Sequence, residues 1–267
     1  MTAVDRAFTG AIPDIYERYL GPMLFEPYAR DMAGRFKGFE GALLETAAGT
    51  GRVTRALAEA APGAAIMATD LNEPMLAKAA QAVTAANVEW RPADAQALPF
   101  ADAAFEAVVC QFGVMFFPDK AAGYSEARRV LKPGGRFAFN VWDGLETNDL
   151  SRVVHETVAG LFPGDPPTFL ERVPFGYHDQ SVIRAALETA GFSGVAIEAV
   201  ALETPTLSAN DAATGLCMGT PLRAELEARD PDGLAKVVDA VSQALAQRFG
   251  NGAFSGQGQA LVVTAQA

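Results

Sequence analysis

The stretch Leu44-Glu45-Thr46-Ala47-Ala48-Gly49-Thr50-Gly51 decides how the rest of the chain is read. Residues 42–46 are a short apolar run of strand length. Residues 47–51 are small and Gly-containing, and residues 52–61 are Ala-rich and helix-forming up to Pro62-Gly63. A strand that turns directly into a helix leaves the first N–H groups of that helix unpaired, with a partial positive charge behind them. Small residues at 47, 49 and 51 let a ligand approach this backbone closely, and glycine adopts the positive φ that such turns require.

The unit then repeats. Residues 65–69 are strand-like and end at Asp70, and Asn72 with Pro74 opens a helix expected to run to Ala86. Residues 88–91, 105–110 and 136–142 read as three further strands, with a helix at 119–131 that stops at Lys132-Pro133-Gly134-Gly135. Residues 143–177, with Pro163, Pro166, Pro167 and Pro174, read as an irregular insertion holding one short helix. A helix at 181–190 closes at Gly191, and residues 195–201 form a strand. Residues 209–250 are helical with breaks near 219–221 and 230–233, and residues 259–265 form a last strand. Residues 13–36 are helix-like, with Gly21-Pro22 expected to break or kink them. Strands alternating with helices at this spacing predict an α/β fold. It is a Rossmann-like, mostly parallel seven-stranded sheet with helices on both faces, a helical amino-terminal cap and a helical insertion before the last strand.

Asp70 lies at the second strand's tip, about 20 residues beyond the turn, where a carboxylate can accept both hydroxyl protons of a ribose. Turn and acid together point to an adenosine-containing ligand at the sheet's carboxyl edge. A dinucleotide fingerprint needs a third glycine three residues after the second, and Thr54 stands there instead, which weighs against NAD.

Half of the 267 residues are hydrophobic and a fifth are charged, enough for a large core. The net charge of −11 disfavours nucleic acid or an anionic membrane as partner. No apolar run reaches the roughly 18 residues of a membrane span. The first ten residues, with Asp5 and Arg6, lack the apolar core of a secretory signal. Two cysteines, Cys110 and Cys217, imply no disulfide framework, so a cytoplasmic location is expected.

Four motifs in order give the chain a family resemblance over residues 40–143. Residues 44–51, the run Ala68-Thr69-Asp70-Leu71-Asn72-Glu73-Pro74-Met75-Leu76, the run Ala93-Asp94-Ala95-Gln96-Ala97-Leu98-Pro99-Phe100, and Arg128-Arg129-Val130-Leu131-Lys132-Pro133-Gly134-Gly135 carry it. The chain resembles the class I S-adenosylmethionine-dependent methyltransferases, in the subgroup of ubiquinone/menaquinone biosynthesis enzymes. Ala47 stands where many members have glycine. The resemblance implies S-adenosylmethionine as cofactor, held by Glu45 near the sulfonium and amino group and by the turn of Thr46, Ala47, Gly49, Thr50 and Gly51 under the methionine portion. It further implies Asp70 on the ribose, Leu71 and Met75 flanking the adenine, Asp94 and Ala95 on the adenine edge, and Gln111 after the fourth strand. Each residue also has an ordinary structural use: Met75 and Leu71 as core, Asp94 as a turn former, Glu45 as a loop cap.

The resemblance divides the chain into a helical cap at 1–40 and a methyltransferase domain at 41–267, with acceptor-side insertions at 143–178 and 208–250. Residues 111–117 are apolar and lack the acidic-Pro-Pro-aromatic signature of amide methyltransferases, which favours a small-molecule acceptor. Methyl transfer from a sulfonium needs alignment and exclusion of water, and a general base only for a protonated nucleophile. His155, His178, Tyr16 and Tyr19 are the candidates for that role, and no metal is expected. Two other readings remain open on the sequence: an NAD-type oxidoreductase and a non-catalytic S-adenosylmethionine-binding protein. A macromolecular methyltransferase would want a basic face.

Overall fold

The computed structural model describes residues 12–267, so the expectation about the first ten residues lies outside the described part. Seven strands form one sheet: β1 (Gly41–Glu45), β2 (Ala64–Asp70), β3 (Val88–Pro92), β4 (Phe105–Gln111), β5 (Leu131–Trp142), β6 (Ser193–Thr206) and β7 (Phe254–Gln266). Their order is β3-β2-β1-β4-β5-β7-β6. The pairs from β3 through β5 are all parallel, and β7 runs antiparallel to β5. The order reverses beside β1, and in open parallel sheets ligands bind in the crevice at such a switch point.

By contacts the chain forms two compact units. One comprises Tyr28–Trp142, Tyr177–Val200 and Ala260–Ala267, and the other, among the described residues, 12–27, Asp143–Gly176 and Ala201–Gln259. In the first unit, side chains alternate across the strands. Ala107, Val109 and Ala138 join Leu43 and Ile66 in a core closed by Met32 and Ala33 of α2 (Glu26–Gly34) and Val53 and Leu57 of α3 (Arg52–Ala60). On the alternate positions of β5, Phe137 and Phe139 meet Tyr124 of α5 (Lys120–Val130), and Phe137 stacks on Phe192. Both faces of a parallel sheet are thereby covered.

The second unit is mainly helical: α6 (Asp149–Leu161), α9 (Ala209–Met218), α10 (Leu222–Arg229) and α11 (Leu234–Phe249). α11 packs on α6 and α9, and α9 on residues 16–25. A Cβ at Gly215 would come within 2.9 Å of both Tyr19 and Leu20, so only glycine permits that approach.

Four expectations are corrected. Gly21-Pro22 does not break its helix: Tyr16–Phe25 winds as a π-helix, and the Glu26 N–H reaches back five residues to the Gly21 carbonyl. A proline without an N–H is accommodated by the wider ladder. α4 (Glu73–Ala82) stops short of residue 86, because Val83 is extended and Asn87 turns back to donate to the Ala64 carbonyl at 3.1 Å. The insertion at 143–177 is ordered around the 13-residue α6, whose Leu150, Val153, Val154 and Val158 make a buried stripe. The prolines follow it. Finally, β5 pairs from Leu131 opposite Phe105, its ladder shifting register before Arg136, with Gly134 at φ +77°.

No helix among the described residues is long and apolar enough to cross a membrane.

Candidate functional site

Three loops converge at the carboxyl edge of β1, β2 and β4. The first, residues 46–51, needs the left-handed backbone three times: Ala47 at φ +54°, Gly49 at +57° and Gly51 at +81°. For Ala47 this conformation carries strain of order 1 kcal/mol. Gly51 begins α3 and is crowded by protein, since a Cβ there would lie 3.0 Å from Ala79 and 3.1 Å from the Trp90 ring. Gly49 is different. A Cβ there would meet only the Met75 methyl at 3.9 Å, so its bare face stays open to a ligand.

Asp70 ties the loops together. Its Oδ2 accepts the Gly49 N–H at 2.8 Å and its Oδ1 the Asn72 N–H at 2.7 Å. A carboxylate has about four acceptor positions, more than these two N–H groups use. Burial raises the Asp70 pKa above the ordinary carboxylate value, and the N–H groups of Asn72 and Gly49 counteract this. This second, structural task for Asp70 has no signature in the sequence.

Glu45 ends β1 almost fully buried, and its Oε2 has no hydrogen-bond partner. Burial pushes its pKa up to about 8. The nearby Thr54 hydroxyl offsets part of that rise, and the neighbouring Asp70 charge adds to it. A buried carboxylate oxygen without a donor is costly unless something cationic or protic arrives to meet it.

Leu71 is 53% exposed, an apolar side chain presented outward beside Asp70, whereas Met75 is buried over Gly49. Asp94 forms a local turn, its Oδ1 accepting the Gln96 N–H at 2.9 Å. The loop that carries Asp94 and Ala95 is pinned from α5: Glu126 accepts the Leu98 N–H at 2.7 Å, and Arg129 donates to the Leu98 and Phe100 carbonyls at 3.0 and 2.8 Å. Arg129 also pairs with Glu126 and Asp102, which holds its pKa above the ordinary guanidinium value. If this pinning matters, Arg129→Ala lowers nucleoside affinity about three- to tenfold in calorimetry while circular dichroism stays unchanged, as expected for losing roughly 1 kcal/mol of ordering.

The third loop follows Gln111, which lies opposite Asn140 in the β4–β5 register. Phe112 sits at φ +50°, held by its N–H donating to both the Asn140 carbonyl (3.1 Å) and its Oδ1 (2.9 Å), with its ring stacked on Trp142 at 4.0 Å. Lys120 fixes the far end by donating to the Met115 and Phe117 carbonyls at 3.3 and 3.1 Å. Gly113 was not singled out in the sequence, although a Cβ there would fall 2.5 Å from the Ala47 Cβ and 2.7 Å from the Cys110 Sγ. The β1 and β4 loops touch at this point. Gly113→Ala is therefore expected to destabilise by about 2–3 kcal/mol, a melting temperature roughly 4–10 °C lower, partly restored by adding Ala47→Gly. No loss in thermal melts would mean that the two loops can separate. Burial drives the Cys110 thiol up to about 12, so it is no nucleophile.

Of the general-base candidates, His178 is exposed beside the N-cap Asp179 of α8 (Gln180–Thr189). The other three belong to the helical unit. His155 on α6 has a buried, unpartnered Nδ1 and an Nε2 4.0 Å from Glu171. Tyr16 stacks on Phe25 at 4.8 Å, and Tyr19 lies under the Arg18 guanidinium. None of the four belongs to the three loops of the sheet unit. Among the described residues no group of three or more His, Cys, Asp or Glu side chains could hold a metal ion.

The profile of a methyltransferase domain matches residues 44–139. A demethylmenaquinone methyltransferase of Thermus thermophilus is 46% identical over 96 residues, 35% of this chain and 44% of that protein. A ubiquinone/menaquinone biosynthesis C-methyltransferase of a Caulobacter species is 32% identical over 173 residues, 58% of this chain and 69% of that one. The chain thus spans less than half the length of the first curated relatives it matches. Among solved structures, a Haemonchus contortus phosphoethanolamine N-methyltransferase in complex with S-adenosylhomocysteine superposes with a TM-score of 0.63 at 18% identity, covering 98% of this chain and 59% of that one. The [4+2]-cyclase SpnF superposes at 0.61, also at 18% identity, covering 98% and 95%. At such identities these two report the fold alone, and the cyclase illustrates that one fold hosts different chemistries. With four motifs in order, seven strands in this topology and a relative matched over two thirds of its length, the chain belongs to the class I S-adenosylmethionine-dependent methyltransferase family.

Proposed function

We propose that the protein transfers a methyl group from S-adenosylmethionine to a small-molecule acceptor. The observation that carries the reading is the buried Glu45 carboxyl, its Oε2 without a hydrogen-bond partner, together with the open face of Gly49 and the Asp70 carboxylate. Two buried acids, both with carboxyl values raised by burial, suit a ligand that is cationic at one end and carries hydroxyls at the other. These residues fit S-adenosylmethionine, which when bound supplies an activated methyl group on its sulfonium. Glu45 would meet the positive charge, the bare backbone at Gly49 would seat the amino-acid arm, and Asp70 would accept from the ribose. Leu71 and the pinned turn at Asp94 and Ala95 would hold the adenine. Phe112, Gly113 and the apolar residues after them would shield the reacting centre from water, where alignment supplies most of the rate.

Two relatives are named as a demethylmenaquinone methyltransferase and a ubiquinone/menaquinone biosynthesis C-methyltransferase, and the apolar loop after β4 is compatible with an acceptor of quinone character. An acidic chain, with no membrane-length helix among its described residues, fits a small dissolved acceptor in the cytoplasm better than a nucleic acid. Incubation with methyl-labelled donor and a panel of phenolic, quinol and amine acceptors tests the reading. Label in an acceptor and stoichiometric S-adenosylhomocysteine are expected. Donor binding without turnover on any acceptor would favour a binding protein instead.

A further inference from the structure

The helical unit carries a cavity of about 780 Å³ that the methyl-transfer reading leaves unused. Its walls include Arg18, Tyr19, Met23, Leu207, Asp211 and Phe254, all from segments of that one unit. The volume lies within the range of small-molecule sites. Most of the lining is apolar, and Leu207, 81% exposed, is an accessible apolar side chain within it. Phe254 is a fixed wall, stacked on Phe249 at 5.0 Å with the rings 8° from parallel.

The two charges in the lining are not equivalent. Asp211 is committed to the start of α9: its Oδ2 accepts from the Ser208 hydroxyl at 2.8 Å, and its own N–H donates back to that hydroxyl at 3.1 Å. This reciprocal cap, together with the positive end of the helix, balances the carboxylate. Arg18 has no ion pair among the described residues, and its guanidinium lies 5.1 Å from the Tyr19 ring centroid, held in place by the ring face. An apolar cavity with a pre-positioned guanidinium that has no ion pair among the described residues selects an anion, and a planar fork pairs best with carboxylate or sulfonate geometry.

We infer that this cavity binds an organic monoanion with an extended apolar body, its acid group on Arg18 and its body against Met23, Leu207 and Phe254. Every lining residue lies in the helical unit, so the inference stands independently of cofactor binding. Calorimetry without methyl donor, using decanoate, decylammonium and 1-decanol below micellar concentrations, tests it on the intact chain. Decanoate is expected to bind at least tenfold more tightly than either comparator. Arg18→Gln, at an exposed position, is expected to erase that preference with an unchanged melting temperature. Leu207→Asp should weaken all three ligands. Equal binding of the three, absence of decanoate binding, or a preference that survives Arg18→Gln would each overturn the inference.

Discussion

Replacing Asp70 by alanine is expected to weaken binding of S-adenosylmethionine at least tenfold and to lower the melting temperature together with it. A hydrogen bond to a charged group contributes about 1.5–3 kcal/mol, and a tenfold change corresponds to about 1.4 kcal/mol. The stability loss follows from the N–H groups of Gly49 and Asn72, which lose their acceptor in a part-buried site. Unsatisfied donors of this kind cost about 1–3 kcal/mol each. At roughly 2–4 °C per kcal/mol the drop would be about 5 °C or more. Asp70→Asn separates the two tasks only partly, because its amide group offers one acceptor where two N–H groups need one each. Unchanged affinity in a variant that still melts cooperatively would remove Asp70 from the ligand site and leave it a loop tie.

Glu45→Gln is expected to act in opposite directions on stability and on binding. In the folded protein the Glu45 carboxyl titrates at about 8, against an ordinary value of 4.5. A carboxyl whose folded-state value is raised contributes stability in full below pH 4.5, and that contribution is lost as pH rises through 8. Glutamine carries no such penalty, so the variant should melt higher than the parent at pH 8, by roughly 5 °C or more, with the difference shrinking towards pH 5. Donor binding should fall at least tenfold, since the charge facing the sulfonium is gone. In the parent protein the ionised form is the one that attracts a cation. Affinity therefore rises with pH up to about 8, and binding at pH 7 releases up to one proton. Calorimetry in two buffers of different ionisation enthalpy reads that proton directly. Buffer-independent heats, or a variant that binds normally, would show that Glu45 does not face the ligand.

The β1–turn–α3 unit and the strand alternation were legible because local composition decides them: apolar runs of strand length, glycines at turns, and caps. The same holds for the breaks that divide α9, α10 and α11, which fall at Gly219-Thr220-Pro221 and near Asp230. Features set by distant contacts were not legible. The requirement for glycine at 113 exists only because Ala47, 66 positions away, carries a Cβ into the same space. Arg129 reaches carbonyls about 30 residues back, and no local spacing announces that. The length of α6 is harder to read, because the prolines at 163, 166 and 167 suggest an irregular segment with only a short helix, although they follow α6 and its apolar stripe stands clear of them. The π-helix is invisible to a periodicity of 3.6, since its ladder is set by how Pro22 is accommodated.

A crystal of the protein grown with S-adenosylhomocysteine tests the central claim most directly. The account predicts the ribose hydroxyls within hydrogen-bond distance of Asp70, the amino-acid arm along Gly49 with its ammonium towards Glu45, and the adenine between Leu71 and the turn at Asp94. A nucleoside seated elsewhere, or loops 46–51 and 111–113 closed on each other with no room for one, would contradict it.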